Sequence, residues 1–367
     1  MSASFHWFLP TSGDGREVFG ALQSSGVLGT ASAHRAPDLE YLTLVAKTAE
    51  KLGFESVLTP TGTWCLDAWV TTAALIQETT RLKFLVAFRP GLITPTLAAQ
   101  QAATFAELSG GRLALNIVTG GDREEQERFG DRLSKQERYA RTAEFLQIVR
   151  GAWSGTPYDF VGEYLDVTGA TVSRPPQPAP AVFFGGASDA AREVAAAHVD
   201  TYLTWTEPPD KVAALIDDVR ARAAKHGRTL SFGIRAHVIT RDTREEAWAE
   251  ARKLVDRMDP NVIALARERL LQSESEGQRR QLSLNADLAN LEVYPGLWAG
   301  YGLVRPGAGT AFVGSHSEVA DLIGEYRALG VDHFILSGQP HIEEAYWFAE
   351  GVAPLVRAAE TRAPQAI

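Results

Sequence analysis

The chain has almost no cysteine: one residue, Cys65, in 367. No internal disulfide can form, and neither a multi-thiolate zinc site nor an iron–sulfur cluster can be assembled. A lone cysteine most often packs as a small hydrophobe. Long hydrophobic runs are also missing, since no stretch reaches the roughly 18 consecutive apolar residues of a membrane-spanning helix. Positive charge is in deficit, with 36 Lys and Arg against 45 Asp and Glu and a net charge of −9. No global field draws in a nucleic-acid backbone or an anionic lipid surface. A small anionic substrate would have to be held against that charge by local arginines. "MSASFHWFLP" carries no basic leader and runs almost at once into a strand-like segment, so a cytoplasmic address is expected. Missing too are a Gly-x-Ser-x-Gly elbow and a Rossmann glycine fingerprint; no metal site stands out around His237 and His341, and no metal is expected.

What is present is alternation. With 45% hydrophobic and 22% charged residues the chain has the composition of a globular protein with a sizeable core. "SFHWFLP", "ESVLTP", "LKFLVAF", "RLALNIVTGG", "AVFFGGA", "DTYLTW", "LSFGIRAHVIT" and "HFILSG" read as strands, each but the last followed by apolar residues at helical spacing, as in "DLEYLTLVAKTAEKLGF". Eight such units predict a closed (β/α)8 barrel in a single domain over 1–367. A barrel takes roughly 250 residues, and the surplus falls at about 13–35, 154–180 and 259–309 as polar or Pro-rich insertions. No internal repeat and no linker divides the chain.

In such a barrel the chemistry sits where strands end at their carboxyl side. Those ends carry Pro10, Thr11 and Asp14, then Thr61 and Cys65, Arg89, Asn116 and Thr119, "GGAS", Trp205, Arg235 with His237, and Gln339 with His341. Gly185, Gly186 and Ser188 stand between a strand and a helix, where free N–H groups favour an anion such as phosphate; a plain tight turn capped by Ser188 is the other reading. Arg235 and His237, at i and i+2, point to one face of their strand, and a desolvated Arg needs an anion beside it. Arg305, in the Gly-rich stretch "GLVRPGAGTAFVG", is either a solvated loop charge or a mobile clamp over an anion. His6, Trp7 and Trp205 are weaker signals, open to simple packing.

"FHWFLPTSGDG", "PTGTWCLDAWV", "LKFLVAFRPGLITPTLAAQQAATFAELSGGRLALNIVTGGD", "ERYARTAEFLQIVR", "FGGASDAAREVAAAHVDTYLTWTEPP", "RAHVITRDTREEAW" and "SGQPHIEEAYWFAE" together resemble the alkanesulfonate monooxygenases of the bacterial-luciferase-like superfamily, in order and over nearly the whole chain. The resemblance implies a two-component system: a separate NAD(P)H-dependent FMN reductase delivers reduced FMN, which with O2 forms a flavin peroxide that cleaves the carbon–sulfur bond of a sulfonate to sulfite and an aldehyde. It implies FMN phosphate at Gly186, Ser188 and Tyr139, and the flavin ring against Asn116, Val118, Thr119 and Cys65. Arg235, His237, Cys65, Arg305 and His341 correspond to its catalytic residues, and Trp205, Gln339 and Trp7 join the substrate side. A homo-oligomer, dimer or tetramer, is expected.

One residue departs from the pattern. Where the alkanesulfonate enzymes read Ser-Gly-Tyr-Pro-His, this chain has Gln339 in place of the Tyr. An amide offers two donors and an acceptor suited to hydroxyl groups, so a polyhydroxylated sulfonate, with sulfoquinovose leading and a 6-dehydro sugar as product, is expected over a linear alkanesulfonate. A deazaflavin-dependent dehydrogenase on the same fold is the more distant alternative.

Overall fold

The computed structural model describes residues 2–16 and 35–362; of the insertion expected at 13–35, residues 17–34 lie outside the described residues. In chain order the strands are β1 (Ser4–Phe8), β2 (Ser56–Thr59), β3 (Lys83–Phe88), β4 (Leu113–Ile117), β5 (Tyr158–Val161), β6 (Asp166–Ala170), β7 (Ala181–Gly185), β8 (Thr201–Trp205), β9 (Ser231–Arg241), β10 (Glu292–Tyr294), β11 (Leu297–Trp298), β12 (Ala311–Ser315) and β13 (Val331–Ser337). Eight of these, β1, β2, β3, β4, β7, β8, β9 and β13, pair in parallel in that order, and β13 returns to β1 to close a (β/α)8 barrel. The helices are α1 (Leu39–Lys51), α2 (Ala68–Leu75), α3 (Pro95–Ser109), α4 (Arg123–Arg128), α5 (Lys135–Ala152), α6 (Asp189–His198), α7 (Pro209–Lys225), α8 (Arg244–Asp256), α9 (Pro260–Leu271), α10 (Glu276–Leu284), α11 (His316–Ala328), α12 (His341–Trp347) and α13 (Ala353–Arg362).

Strand periodicity sorts the side chains into two cores. On β1, Phe5 and Trp7 turn outward with Phe54 and the helices, whereas Phe8 joins Leu58, Leu85, Ala114, Phe183, Leu203 and Ile335 in the lumen. Helix α1 shows how the outer layer is made. The Asp38 carboxylate caps it by accepting the Tyr41 N–H, and Leu42, Val45, Ala46 and Ala49 lie buried at spacings of three and four. Gly53 then turns the chain at a φ of 82°, where a side chain would be strained.

The second and third insertions contain regular elements. The segment 154–180 contains the antiparallel β5–β6 hairpin. The segment 259–309 contains α9, α10, β10 and β11, and β11 pairs antiparallel with β12. Strand β9 is 11 residues long and has three partners: β8 on its first half, β12 on its second, and β13 along most of its length. That shared strand places Arg235 and His237 at the root of the last insertion. Among the described residues no helix is long and apolar enough to cross a membrane.

Candidate active site

A cleft of about 940 Å3 opens at the carboxyl ends of the strands, roofed by residues of α9, α10 and the 304–307 loop. This volume suits a cofactor with a small substrate. Arg235 enters it from β9 and Arg305 from the loop above. The Arg235 guanidinium lies 4.9 Å from the Phe8 ring centroid, donates to the Ala236 carbonyl, and reaches Ser337 Oγ at 2.8 Å. Burial, then the charge of Arg305, pushes Arg235 down to about 9, and burial lowers Arg305 in turn. Neither forms an ion pair among the described residues. Two desolvated cations without a counter-ion are costly unless an anion joins them.

Behind Arg235 the hydrogen bonds have a fixed direction. A carbonyl can only accept, so His237 carries its proton on Nε2, 3.1 Å from the Ala308 oxygen. Its Nδ1 then accepts the Ser337 hydroxyl at 2.7 Å, and Ser337 Oγ accepts from Arg235. The imidazole stacks on Tyr301 at 3.9 Å between centroids. Burial, followed by the charges of Arg235 and Arg305, holds its pKa well below the ordinary 6.5, so His237 is neutral.

A second buried pair sits beside this relay. Asp14, fully buried, accepts the His341 backbone N–H at 2.8 Å and faces His341 Nδ1 at 2.9 Å. It also accepts the Tyr41 hydroxyl. Burial alone would raise the Asp14 carboxyl, but His341 and Tyr41 together bring it down to about 2. His341 Nε2 is buried and meets no hydrogen-bond partner among the described residues. Gln339 Oε1 is likewise buried, and no donor among the described residues meets it.

The other flank of the cleft is shaped by β4, α5 and the β7–α6 turn. Asn116, Val118 and Thr119 line it, as do Tyr139, Gly186 and Ala187. A Cβ on Gly186 would stand 2.6 Å from the Ala191 Cβ and 3.3 Å from the Tyr139 hydroxyl, so glycine alone leaves the approach open. The Lys135 ammonium lies 5.9 Å from the Tyr139 ring centroid, and burial lowers it to about 8. Arg89 pairs with Glu125 at 2.6 Å along the same wall.

A family model described as luciferase-like monooxygenase matches residues 4–333. This chain belongs to that family. Among solved structures, riboflavin lyase with a modified FMN and its substrate riboflavin superposes with a TM-score of 0.81 at 21% identity, covering 98% of this chain and 92% of that one. The EDTA monooxygenase of Chelativorans sp. BNC1 gives 0.74 at 19% identity, with coverage of 98% and 95%. An F420-dependent secondary alcohol dehydrogenase gives 0.67 at 19% identity, with coverage of 97% and 100%. At such identities the likeness is one of fold.

On this luciferase-like scaffold, Asn116, Val118, Thr119, Tyr139, Gly186, Trp205, Arg235 and Arg305 all line one cleft. Trp7 is a correction: its indole is fully buried against Phe54 on the outer side of β1, because odd positions of that strand face the helices, and it cannot touch a substrate. His237, Gln339 and His341 are buried and do not line the cleft. Ser188 caps α6 by accepting the Ala191 N–H at 3.3 Å, which leaves its hydroxyl proton free to donate. Cys65 makes weak contacts to the carbonyls of Pro60 and Gly62, and burial pushes its thiol up to about 11, so it is neutral rather than a nucleophilic thiolate. Sequence reasoning missed Ser337, which links Arg235 to His237, and placed Asp14 only on the rim. Nothing in the local pattern marks the Asp14–His341 contact, which joins positions 327 residues apart.

Proposed function

We propose that this luciferase-like monooxygenase cleaves the carbon–sulfur bond of an organosulfonate with reduced FMN and O2, giving sulfite and an aldehyde. The observation that carries the reading is the pair of uncompensated cations, Arg235 and Arg305, in one cleft. A sulfonate is ionised at every cellular pH and its oxygens match guanidinium forks.

The residues present fit FMN. The open Gly186 cradle, the α6 N-terminus, Ser188 and Tyr139 suit its phosphate, and Asn116, Val118 and Thr119 suit the face of its ring. When bound, reduced flavin with O2 supplies the electrons and the oxygen atom that carbon receives, the second oxygen atom leaving as water. Arg235 and Arg305 hold the sulfonate and orient its carbon–sulfur bond toward the flavin side. Neutral His237 keeps Arg235 in register through Ser337, and the loop carrying Arg305 excludes water. A separate NAD(P)H-dependent reductase supplies the flavin.

For the substrate we propose a hydroxyl-bearing sulfonate, with sulfoquinovose foremost and its 6-dehydro sugar as product; the support is the polar residue Gln339 at this position of the sequence, whose side chain is buried and does not itself line the cleft. A sulfite-release screen with a generic FMN reductase, across sulfoquinovose, octanesulfonate and benzenesulfonate, tests both levels. Sulfite from octanesulfonate alone removes the sugar reading; no sulfite from any removes the sulfonate reading. The fold shared with an F420-dependent dehydrogenase keeps a hydride-transfer reading in view, and turnover that persists under argon would favour it.

A further inference from the structure

Two glutamines on one face of α10, Gln278 and Gln281, hold the loop that carries Arg305. Gln281 Oε1 accepts the Gly309 N–H at 2.9 Å and its Nε2 donates to the Thr206 carbonyl at 3.0 Å, so both ends of that amide are used. Gln278 Oε1 accepts the Gly307 N–H at 2.9 Å. An N–H must meet a carbonyl oxygen, which fixes the amide orientation and leaves Nε2 as the other end. That Nε2 is buried and has no partner among the described residues, on a residue that is 3% exposed and lines the cleft beside Arg305. The wall there is tight, since a Cβ on Gly277 would stand 3.0 Å from the Trp205 ring. An unmet buried donor is costly by itself and is relieved by an acceptor.

We propose that Gln278 is a third substrate-anion donor that also couples substrate binding to closure of the loop. Its Nε2 donates to an oxygen of the anion held by Arg235 and Arg305. An occupied Nε2 then locks the amide in the orientation whose Oε1 retains Gly307, so the anion fastens the loop that covers it. The closed-loop geometry is observed; the anionic class of the ligand rests on the proposed function.

Gln278→Glu keeps an acceptor for Gly307 and removes the donor; Gln278→Met removes both; Gln281→Met removes only loop contacts. Tryptophan-fluorescence titration with sulfoquinovose is expected to weaken about tenfold or more in Gln278→Glu, the size of one hydrogen bond to a charged group, with FMN affinity held within twofold. Gln278→Met is expected to show the same loss and a higher ratio of H2O2 to sulfite. Gln281→Met is expected to raise that ratio with a smaller effect on affinity. Sulfoquinovose affinity within twofold of wild type in Gln278→Glu overturns the proposal. If the wild type binds no sulfonate, the sulfonate reading fails separately, and hydrogen exchange at Gly307 with inorganic sulfate decides the coupling. Protection by sulfate in the wild type that disappears in Gln278→Glu supports it, and protection that is equal in both, or absent in the wild type, overturns it.

Discussion

Arg235 and Arg305 pull stability and activity in opposite directions. Each lowers the pKa of its surroundings by its charge, and neither makes an ion pair with a carboxylate among the described residues, the buried Asp14 acting on Arg305 only from a distance. Arg305→Gln is therefore expected to stabilise the ligand-free protein by about 1 kcal/mol while reducing kcat/KM for the sulfonate about 10–100-fold. Thermal unfolding and steady-state sulfite release check the two halves, and a variant that loses both stability and activity sinks the argument. Trp7 makes the converse case. Trp7→Ala removes a large ring from the outer core and should cost about 3–5 kcal/mol, with KM of the surviving folded enzyme unchanged; a raised KM with unchanged stability would return Trp7 to the substrate side. Both positions show what one strand period settles. Alternation alone puts Arg235 and His237 on one side of β9, but whether position 7 of β1 faces in or out depends on barrel register, which no local pattern carries.

Helices and turns distribute the rest of the work. The Gly186 turn and α6 were legible as a strand–glycine–helix junction because strand, glycines, N-cap and helix follow one another directly. Gly186→Ala would drive a methyl against Ala191 and toward the Tyr139 hydroxyl. The expected result is FMN binding weakened about tenfold with riboflavin binding nearly unchanged, read by flavin-fluorescence quenching; equal losses for both would mean a general distortion rather than a phosphate site. Helix α10 was not legible. Its buried face includes Gln278 and Gln281 beside Leu282 and Leu284, so the apolar period that reveals a helix is broken by the amides that clamp the loop. Strands β10 and β11, with 3 and 2 residues, are too short for any alternation to register. The barrel strands, by contrast, are runs of 4 to 11 residues, each bounded by turn residues.

Taken whole, the barrel buries histidines as well as hydrophobes, and this sets its response to acid. Burial, then His333, brings His6 down to about 3; burial brings His198 to about 4; His237 also lies well below 6.5. Between those values and 6.5 the unfolded chain binds protons that the native protein does not, so these histidines lower stability as pH drops below about 6.5, by up to about 1.4 kcal/mol per pH unit for each group; the buried Glu344 carboxyl, raised to about 7, offsets one such group between about 7 and 4.5. Asp14 adds a separate loss only as pH falls from near 4 toward about 2. Urea midpoints from pH 7.5 to 4.5 check this, and a flat profile across that range would contradict it. The eightfold closure itself was readable from alternation, whereas the Asp14–His341 and Ser337–His237 contacts, 327 and 100 residues apart, exist only once the ring is closed.

Strand β9 has a consequence for how such a chain can change length. Its second half is laced to β12 from Ala311 to Ser315, and the His237 N–H is tied to the Thr310 carbonyl at 2.8 Å. Lengthening the chain between Ala308 and Ala311 would therefore throw the sheet register out of step and shift His237 with it. Residues 286–290, exposed and outside any strand or helix, touch no such register. Extra residues, or a grafted binding module, are therefore expected to be tolerated at 286–290 and not at 308–311, so one side of the loop has room to lengthen while the other stays fixed.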